Sequence, residues 1–234
     1  MYRQLTNAGH LSGIIEPERG GLAVTRSGQL DALVALEGIG TRLSFSRNQE
    51  IYSEGDATDC WYKVVSGTVR ICKLLADGRR QIAEFCFSGD CFGLDNTGSR
   101  VFSAEAVSDA IVLRLPRKAT EQLMDQNPAL ARLLRETMLR DLANAHSRML
   151  LLGRMTAPER VAAFLLEIFE RRDVTRKLDL PMSRTDIADY LGLTVETVCR
   201  TLSMFRHDRM IAVPNPHQIE LLDRAALEAI GEAQ

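Results

Sequence analysis

The spacing of apolar residues divides the chain into regions with different hydrophobic patterns. Between residues 41 and 115, short runs rich in β-branched and aromatic residues are separated by glycines. Such runs, with regular glycine punctuation, are typical of an antiparallel barrel or sandwich. Asp77-Gly78 favours a tight hairpin turn within this region. We therefore predict antiparallel β-structure in this part of the chain.

A helical repeat replaces this pattern between Pro128 and Gly153. One apolar stripe recurs at spacings of three and four residues, as in a helix that pairs with a second helix. Its members are Leu130, Leu134, Met138, Leu142, Ala145, Met149 and Leu152. Leu133, Leu139 and Leu150 form a second apolar face, which suits packing on the β-domain. We therefore predict that the first stripe is a dimer interface; the alternative is a helix that packs only on its own barrel.

Two short helices joined by a tight corner are predicted between residues 182 and 213. Ser183 and Asp186 have the spacing of a cap for the first helix, and Gly192 suits the left-handed conformation at its end. Thr194 is placed to cap the second helix. A helix, a short turn that contains glycine and a second helix of this size predict a helix-turn-helix, although unrelated helix pairs share parts of the pattern.

The outward side chains near the N-terminus of the second helix are of types that read DNA. In a helix-turn-helix this end enters the major groove, where arginine donates two hydrogen bonds to guanine and glutamate accepts one from cytosine. The alternative is a surface ion pair between Glu196 and Arg200, which would contribute only ~0.3–0.5 kcal/mol. The predicted base-reading residues are Val195, Glu196, Cys199 and Arg200. The predicted phosphate contacts are Arg184, Thr194, Thr197, Arg206 and His207.

Charge and composition narrow the function further. The 234-residue chain has a formal net charge of −2, so any contact with nucleic acid must come from a local patch. The five cysteines form no CxxC pair and the four histidines are scattered, so we predict neither a metal site nor a disulfide framework. We find no catalytic motif, no secretory signal and no apolar run of the ~18 residues that a membrane span needs. We expect a cytoplasmic protein that is not an enzyme and makes no contact with membranes.

These features together resemble the CRP/FNR superfamily of bacterial transcription regulators. The recognition-helix signature of its FNR and FixK branch, Glu-x-x-Ser-Arg, reads here Glu196-Thr-Val-Cys199-Arg200. The resemblance implies an α+β fold with an N-terminal antiparallel β-roll of the cyclic-nucleotide-binding type, a long dimerisation helix and a C-terminal winged helix-turn-helix. The corresponding ranges are 29–125, 126–153 and 154–234, after a partly ordered segment at 1–28, and the wing lies at 210–223.

The FixK type is implied because the sensors of other branches are missing. Members that hold an iron–sulfur cluster do so through N-terminal cysteines, whereas the first cysteine here is Cys60. Leu94 stands where cyclic-nucleotide-binding members have a glutamate, and Val101 follows Arg100 in place of a serine or threonine. We therefore expect no cofactor and no response to cyclic AMP.

The resemblance implies a homodimeric activator that binds double-stranded DNA at a TTGAT-like palindrome without an effector. It would contact RNA polymerase and control genes for low-oxygen metabolism, with Arg200 reading the guanine and Glu196 the paired cytosine. The alternative is an effector- or redox-gated regulator of the same fold, with an unknown ligand in the β-roll or oxidation at Cys199. A thiol near a helix N-terminus and beside arginine can oxidise readily, but simple replacement of the signature serine is the plainer interpretation.

Overall fold

A computed structural model describes residues 34–95 and 98–231 of the chain, so the segment at 1–28 lies outside the described residues. Residues 34–39 are helical (α1). The strands that follow are β1 (Thr41–Phe45), β2 (Glu50–Tyr52), β3 (Cys60–Ser66), β4 (Val69–Leu74), β5 (Arg80–Cys86), β6 (Cys91–Phe92), β7 (Ser103–Ala106) and β8 (Ala110–Pro116). The remaining elements are α2 (Arg117–Gln126), α3 (Pro128–Arg154), α4 (Ala157–Arg171), β9 (Lys177–Asp179), α5 (Arg184–Leu191), α6 (Val195–His207), β10 (Ile211–Asn215), β11 (Gln218–Leu221) and α7 (Arg224–Gly231).

Strands β1 to β8 form two four-stranded antiparallel sheets, in the orders β1-β8-β3-β6 and β2-β7-β4-β5. Apolar side chains from both sheets are buried together, among them Val64 and Val69. Gly67 lies in the turn between β3 and β4 with φ +85°, and a Cβ there would overlap the backbone carbonyl of Asp109. Only glycine fits that turn. The predicted α+β fold with an antiparallel β-roll is confirmed.

Helix α3 begins at a side-chain cap and ends where the backbone becomes extended. Asn127 Oδ1 accepts hydrogen bonds from the backbone N–H groups of Ala129 and Leu130, both at 3.1 Å, and Pro128 occupies the first turn, where its missing N–H costs nothing. Met155, with ψ 145°, ends the helix. The long helix predicted from the apolar repeat is therefore present.

The structure corrects the predicted dimer stripe at its N-terminal end. Leu130 and Leu134 are fully buried inside the subunit, in a cluster with Trp61 and Leu113 of the β-roll. The first turns of α3 pack on the β-roll and on α2, so the subunit itself covers apolar side chains there. These two leucines belong to the core of the subunit and are not available to a second copy.

The rest of α3 carries apolar side chains that the subunit does not cover. Leu139 and Leu150, expected to pack on the β-domain, are instead 59% and 66% exposed. The β-roll lies along one face of α3 as far as Arg148, which lines a cavity with its strands, so the face of the helix decides which side chains are exposed. Leu152 is partly buried. The apolar surface of α3 consists of Met138, Leu139, Leu142, Ala145, Met149 and Leu150.

The C-terminal part is built on α4, which starts at a capping box formed by Thr156 and Glu159. Glu159 accepts the Thr156 backbone N–H at 2.7 Å. Strands β10, β11 and β9 form a three-stranded antiparallel sheet, in that order, and α7 packs on α4. The β10–β11 hairpin turns at Pro216 and occupies the position of the wing. In the described ranges, no helix is long and apolar enough to cross a membrane.

Candidate nucleic-acid interface

Local hydrogen bonds and a left-handed glycine define where α5 and α6 start and where α5 ends. The Ser183 hydroxyl accepts the Asp186 N–H at 3.1 Å, and the Asp186 carboxylate accepts the Ser183 N–H at 3.0 Å, which starts α5. Gly192, at φ +63° and ψ +39°, ends it in the left-handed conformation. Thr194 then caps α6 by accepting the Thr197 N–H at 3.2 Å. All the local signals for a helix-turn-helix are used as predicted.

Packing between the two helices decides which side of α6 faces outward. Ala188 of α5 and Val198 of α6 are fully buried, and Leu202 and Phe205 continue the buried stripe of α6. The opposite side of its N-terminal half is uncovered. The exposed predicted base-reading residues there are Glu196, Cys199 and Arg200. Val195 is only partly exposed, because it packs against the domain core.

Glu196 and Arg200 do not form an ion pair with each other in the part of the chain that the structure describes. A hydrogen bond with its own backbone N–H contributes most to lowering the pKa of Glu196, and the Thr194 hydroxyl and the charge of Arg200 add to it. The carboxylate is fully exposed and stays ionised near neutral pH. Neither side chain is held by the other, and the Glu196 carboxylate is in the ionised form that can accept a hydrogen bond from cytosine.

The five predicted phosphate contacts differ in how freely they face solvent. Arg206 and His207 are exposed, and His207 Nδ1 lies 2.9 Å from Asp208 Oδ1. The hydroxyls of Thr194 and Thr197 lie 3.0 Å apart and bond to each other, so both help to shape the helix start. Thr194 is nevertheless exposed, and Thr197 is partly exposed.

Arg184 is more buried than a free phosphate contact would be. Its Nη1 atom is buried, with no hydrogen-bond partner among the described residues, and burial lowers the pKa of the guanidinium. Together with Arg206 and Cys199 it lines a small cavity of about 150 Å³ on the outer side of α6. Two arginines thus flank the exposed thiol that stands in the place of the signature serine.

Sequence reasoning missed Arg160 of α4, which joins three parts of the chain. Its guanidinium donates to the backbone carbonyls of Leu152 at 2.9 Å, Met155 at 2.9 Å and Leu191 at 3.0 Å. It therefore ties the end of α3 and the connection after it to the end of α5. The sequence carries no signal for this role, because the acceptors are backbone atoms from two distant segments.

The β-roll contains a cavity of about 410 Å³ between its strands and α3. Arg100, next to this cavity, is fully buried and donates to the Gly93 carbonyl at 2.6 Å and to the Cys60 carbonyl. Its guanidinium carbon lies 4.4 Å from the ring centre of Tyr52. Burial, followed by the nearby charge of Asp141, raises the pKa of Glu84 in the cavity wall to about 7. In the described segments, no group of three or more His, Cys, Asp or Glu side chains could hold a metal ion.

Comparison with known families matches both halves of the chain. Residues 42–127 match the cyclic nucleotide-binding domain and residues 159–230 match the Crp-like helix-turn-helix domain. The nitrogen fixation regulation protein FixK of Azorhizobium caulinodans is 43% identical over 216 residues, which cover 90% of this chain and 86% of that protein. FixK of Bradyrhizobium diazoefficiens is 41% identical over 210 residues, which cover 87% of this chain and 88% of that protein.

A solved structure agrees with these relatives. That of FixK2 from Bradyrhizobium japonicum superimposes with a TM-score of 0.78 at 43% identity, over 82% of this chain and 97% of that one. These proteins are transcription regulators, so the expectation of a protein that is not an enzyme is confirmed by its relatives. The chain belongs to the CRP/FNR family of DNA-binding transcription regulators, in its FixK-type branch.

Proposed function

We propose that this regulator binds a TTGAT-like palindrome as a homodimer, without a small-molecule effector. The observation that carries the proposal is the exposed placement of Glu196 and Arg200 on the outer side of the N-terminal half of α6, where they form no ion pair within the described residues. In a helix-turn-helix that end lies in the major groove. Arg200 reads the guanine of each half-site through O6 and N7, and Glu196 accepts from N4 of the cytosine paired with it.

The apolar surface of α3 supports the homodimer. Met149 is 71% exposed and Leu142 is 53% exposed, on the face of α3 that the β-roll does not cover. Exposed side chains of this size, in a row at helical spacing, suit pairing with the same helix of a second copy. Two recognition helices about 34 Å apart then meet successive major grooves on one face of DNA.

Independence from an effector is supported by Arg100. The resemblance to cyclic-nucleotide-binding members implies that this arginine would bind the cyclic phosphate. Here its guanidinium already donates to the Gly93 and Cys60 carbonyls and stacks on the Tyr52 ring. A phosphate would have to displace buried hydrogen bonds, and Leu94 offers no acceptor for a ribose hydroxyl.

Calorimetric titration with cyclic AMP is therefore expected to give no saturable heat, and cyclic AMP is expected to leave operator affinity unchanged. The reason is the internal use of the Arg100 guanidinium. A matched titration with cyclic GMP checks that the result does not depend on the base. Saturable binding together with a gain in operator affinity would contradict effector independence.

The proposed biological role follows the relatives. We propose that the dimer activates transcription in the cytoplasm by contacting RNA polymerase, at genes for low-oxygen metabolism, as the resemblance to FixK-type regulators implies. Support comes from relatives named as nitrogen fixation regulation proteins. Transcription in vitro from a promoter that carries the palindrome should rise when the protein is added, and should not rise when the palindrome is scrambled.

A gel-shift assay in air, with purified protein and no effector, tests the proposal. Binding to a TTGAT-type palindrome, with clear preference over a scrambled duplex and a steep loss of affinity with salt, is the expected result. Equal binding to both duplexes would reject sequence-specific recognition. Binding that requires an added ligand would reject effector independence.

A redox-gated form of the same function is a second candidate, favoured by one observation. Cys199 is exposed on the outer side of α6, in the cavity that Arg184 and Arg206 also line. Two equivalents of hydrogen peroxide convert a thiol to a sulfinic acid and release two waters. The resulting negative charge would face DNA phosphates and weaken binding.

Peroxide treatment separates the two candidates. If Cys199 is the redox site, peroxide should reduce operator affinity of the unaltered protein and leave Cys199→Ser unaffected. Cys91→Ser serves as a matched control, because that thiol lies in the β-roll, where burial raises its pKa to about 11. Equal loss in the unaltered protein and in Cys199→Ser would exclude redox gating at this position.

A further inference from the structure

Helix α5 is attached to the β-roll by a group of charged side chains. We call this group the clasp, and it comprises Arg70, Arg80, Asp186 and Asp189. Arg70 Nη1 lies 3.1 Å and Arg80 Nη2 lies 2.6 Å from the same oxygen, Oδ1 of Asp186. Arg80 Nε also donates to Asp189 Oδ2 at 2.8 Å. Strands β4 and β5 thus hold the first helix of the helix-turn-helix.

Asp186 performs two tasks at once. Its second oxygen, Oδ2, accepts from the Ser183 backbone N–H at 3.0 Å and from the Ser183 hydroxyl at 2.8 Å, which caps α5. The Asp186 side chain is only 5% exposed and that of Arg70 only 8%. Charges this buried persist only when they are paired and hydrogen-bonded in a defined geometry. The clasp therefore fixes the start of α5 at one place on the β-roll.

Strand β5 also holds the end of α5. Gln81 Nε2 donates to the Asp189 backbone carbonyl at 2.7 Å. The rings of Phe85 on β5 and Tyr190 on α5 lie 5.2 Å apart, and both contact Phe164 of α4. The β-roll and the helix-turn-helix consequently share one apolar core rather than touching through a loose, solvated surface.

The end of α5 is joined to α3 as well. Arg160 donates both to the Leu191 carbonyl, at the end of α5, and to the Leu152 carbonyl, near the end of α3. Arg148 of α3 lies over the Tyr190 ring at 4.7 Å. Helix α5 is therefore held from the β-roll and from α3 at once, so its orientation relative to α3 is set by contacts and not by the connection at Met155 alone.

We propose that Arg80 and Asp189 are positioning residues that set the operator spacing this protein accepts. They hold α5, and α6 packed on it, at one angle to α3. In a dimer that pairs through α3, this angle determines the separation and relative rotation of the two recognition helices. The inference rests on the proposed palindrome-binding homodimer, and neither residue touches DNA in it.

Operator spacing is a sensitive readout of that angle. Inserting one base pair between half-sites moves them apart by about 3.4 Å and rotates one against the other by about 34°. A rigid pair of recognition helices tolerates this poorly. Two recognition helices that are held less rigidly bind the operator with the best spacing more weakly, but they adapt more easily to operators with other spacings.

The test uses the variants Asp189→Asn and Arg80→Gln on operators of different spacing. These two side chains are 21% and 24% exposed, so their replacement disturbs the fold less than replacement of Asp186 would. The best spacing is first found with the unaltered protein on a series of palindromes. Arg79→Gln is the matched control, because Arg79 lies in the same hairpin, its side chain is 78% exposed, and it pairs with Asp77 of that hairpin.

Both variants are expected to lose about tenfold in affinity for the operator with the best spacing, which is the size of effect that a change within a packed network has on a distant site. For operators with one base pair added or removed, the loss should be less than about twofold. Their preference for guanine over adenine in the half-site should be unchanged, because Arg200 is not affected. Arg79→Gln should behave as the unaltered protein does. Because Arg80 pairs with Asp186 as well as with Asp189, the double variant should be little weaker than Arg80→Gln alone.

Two results would overturn the inference. Equal loss of affinity at every spacing would show that the two residues only stabilise the fold, and unchanged binding at every spacing would show that they do not position α5. Failure of the proposed function gives a different result. In that case the unaltered protein binds no palindrome, whatever its spacing.

Discussion

Replacing Arg200 by alanine is expected to weaken binding to the palindrome by about 1–3 kcal/mol per half-site and to relax selectivity at one base pair. Arg200 is exposed on the outer side of α6, and it makes no ion pair with Glu196 within the described ranges. The variant loses two hydrogen bonds to guanine without disturbing the core. Affinities on palindromes that carry each of the four bases at this position measure the effect.

Arg206→Ala is the control for this prediction. Arg206 lies near the C-terminal end of the same helix and is a proposed phosphate contact, so its loss should weaken binding similarly on all sequences and make the salt dependence shallower. Arg200→Ala should instead leave binding to scrambled DNA almost unchanged. An equal loss on palindromic and scrambled DNA would mean that Arg200 contacts phosphate and reads no base.

Leu142→Glu is expected to weaken palindrome binding more than Arg200→Ala does, because it should convert the dimer to monomers. The substitution places a carboxylate at the centre of the apolar surface of α3, and the two-fold symmetry places a second one close to it. Two linked binding domains gain about 10²–10⁴ in affinity over separate ones, so palindrome binding should fall by about that factor. Sedimentation measures the mass, and gel shift measures the affinity.

Leu222→Glu provides the matched control for the dimer prediction. Leu222 is 49% exposed, close to the 53% of Leu142, but follows β11 in the C-terminal domain, away from α3. The same change in chemistry there should leave both mass and operator affinity unchanged. A Leu142→Glu protein that remains dimeric would show that this surface of α3 is not the interface.

The helix-turn-helix was predictable because its signals are local. Ser183, Asp186, Gly192 and Thr194 lie within twelve positions, and each acts on a backbone group a few residues away. Such short-range chemistry does not depend on the rest of the fold. The same is true of the Asp77-Gly78 turn between β4 and β5, where Gly78 has φ +86°.

The division of α3 was not predictable from its repeat. Leu130 and Met138 follow the same spacing, yet the first is fully buried and the second is exposed, because repeated steps of four residues turn the stripe away from the helix face that the β-roll covers. Arg184 shows the same limit at the site. A residue with the sequence context of a free phosphate contact has its guanidinium half-buried beside α6.

The contacts between the β-roll and α5 could not be seen in the sequence at all. Arg80 and Asp189 are 109 positions apart, and Arg70 and Asp186 are 116 apart. Neither residue pair belongs to a periodic pattern or to a motif. An arginine on a strand is usually exposed to solvent, so the sequence does not single out these two. The two segments come together in the tertiary fold, where the packing of Phe85 against Tyr190 is one of the contacts that join them.

Methylation interference at guanine N7 tests the placement of Arg200 most directly. Methyl groups on the guanines of a palindrome lie in the major groove, where the guanidinium would donate to N7. One methylated guanine in each half-site, symmetric about the centre, is expected to block the unaltered protein, whereas Arg200→Ala should be insensitive to methylation there. The same interference pattern in both proteins, or a pattern confined to one half-site, would contradict the placement of Arg200 at guanine N7.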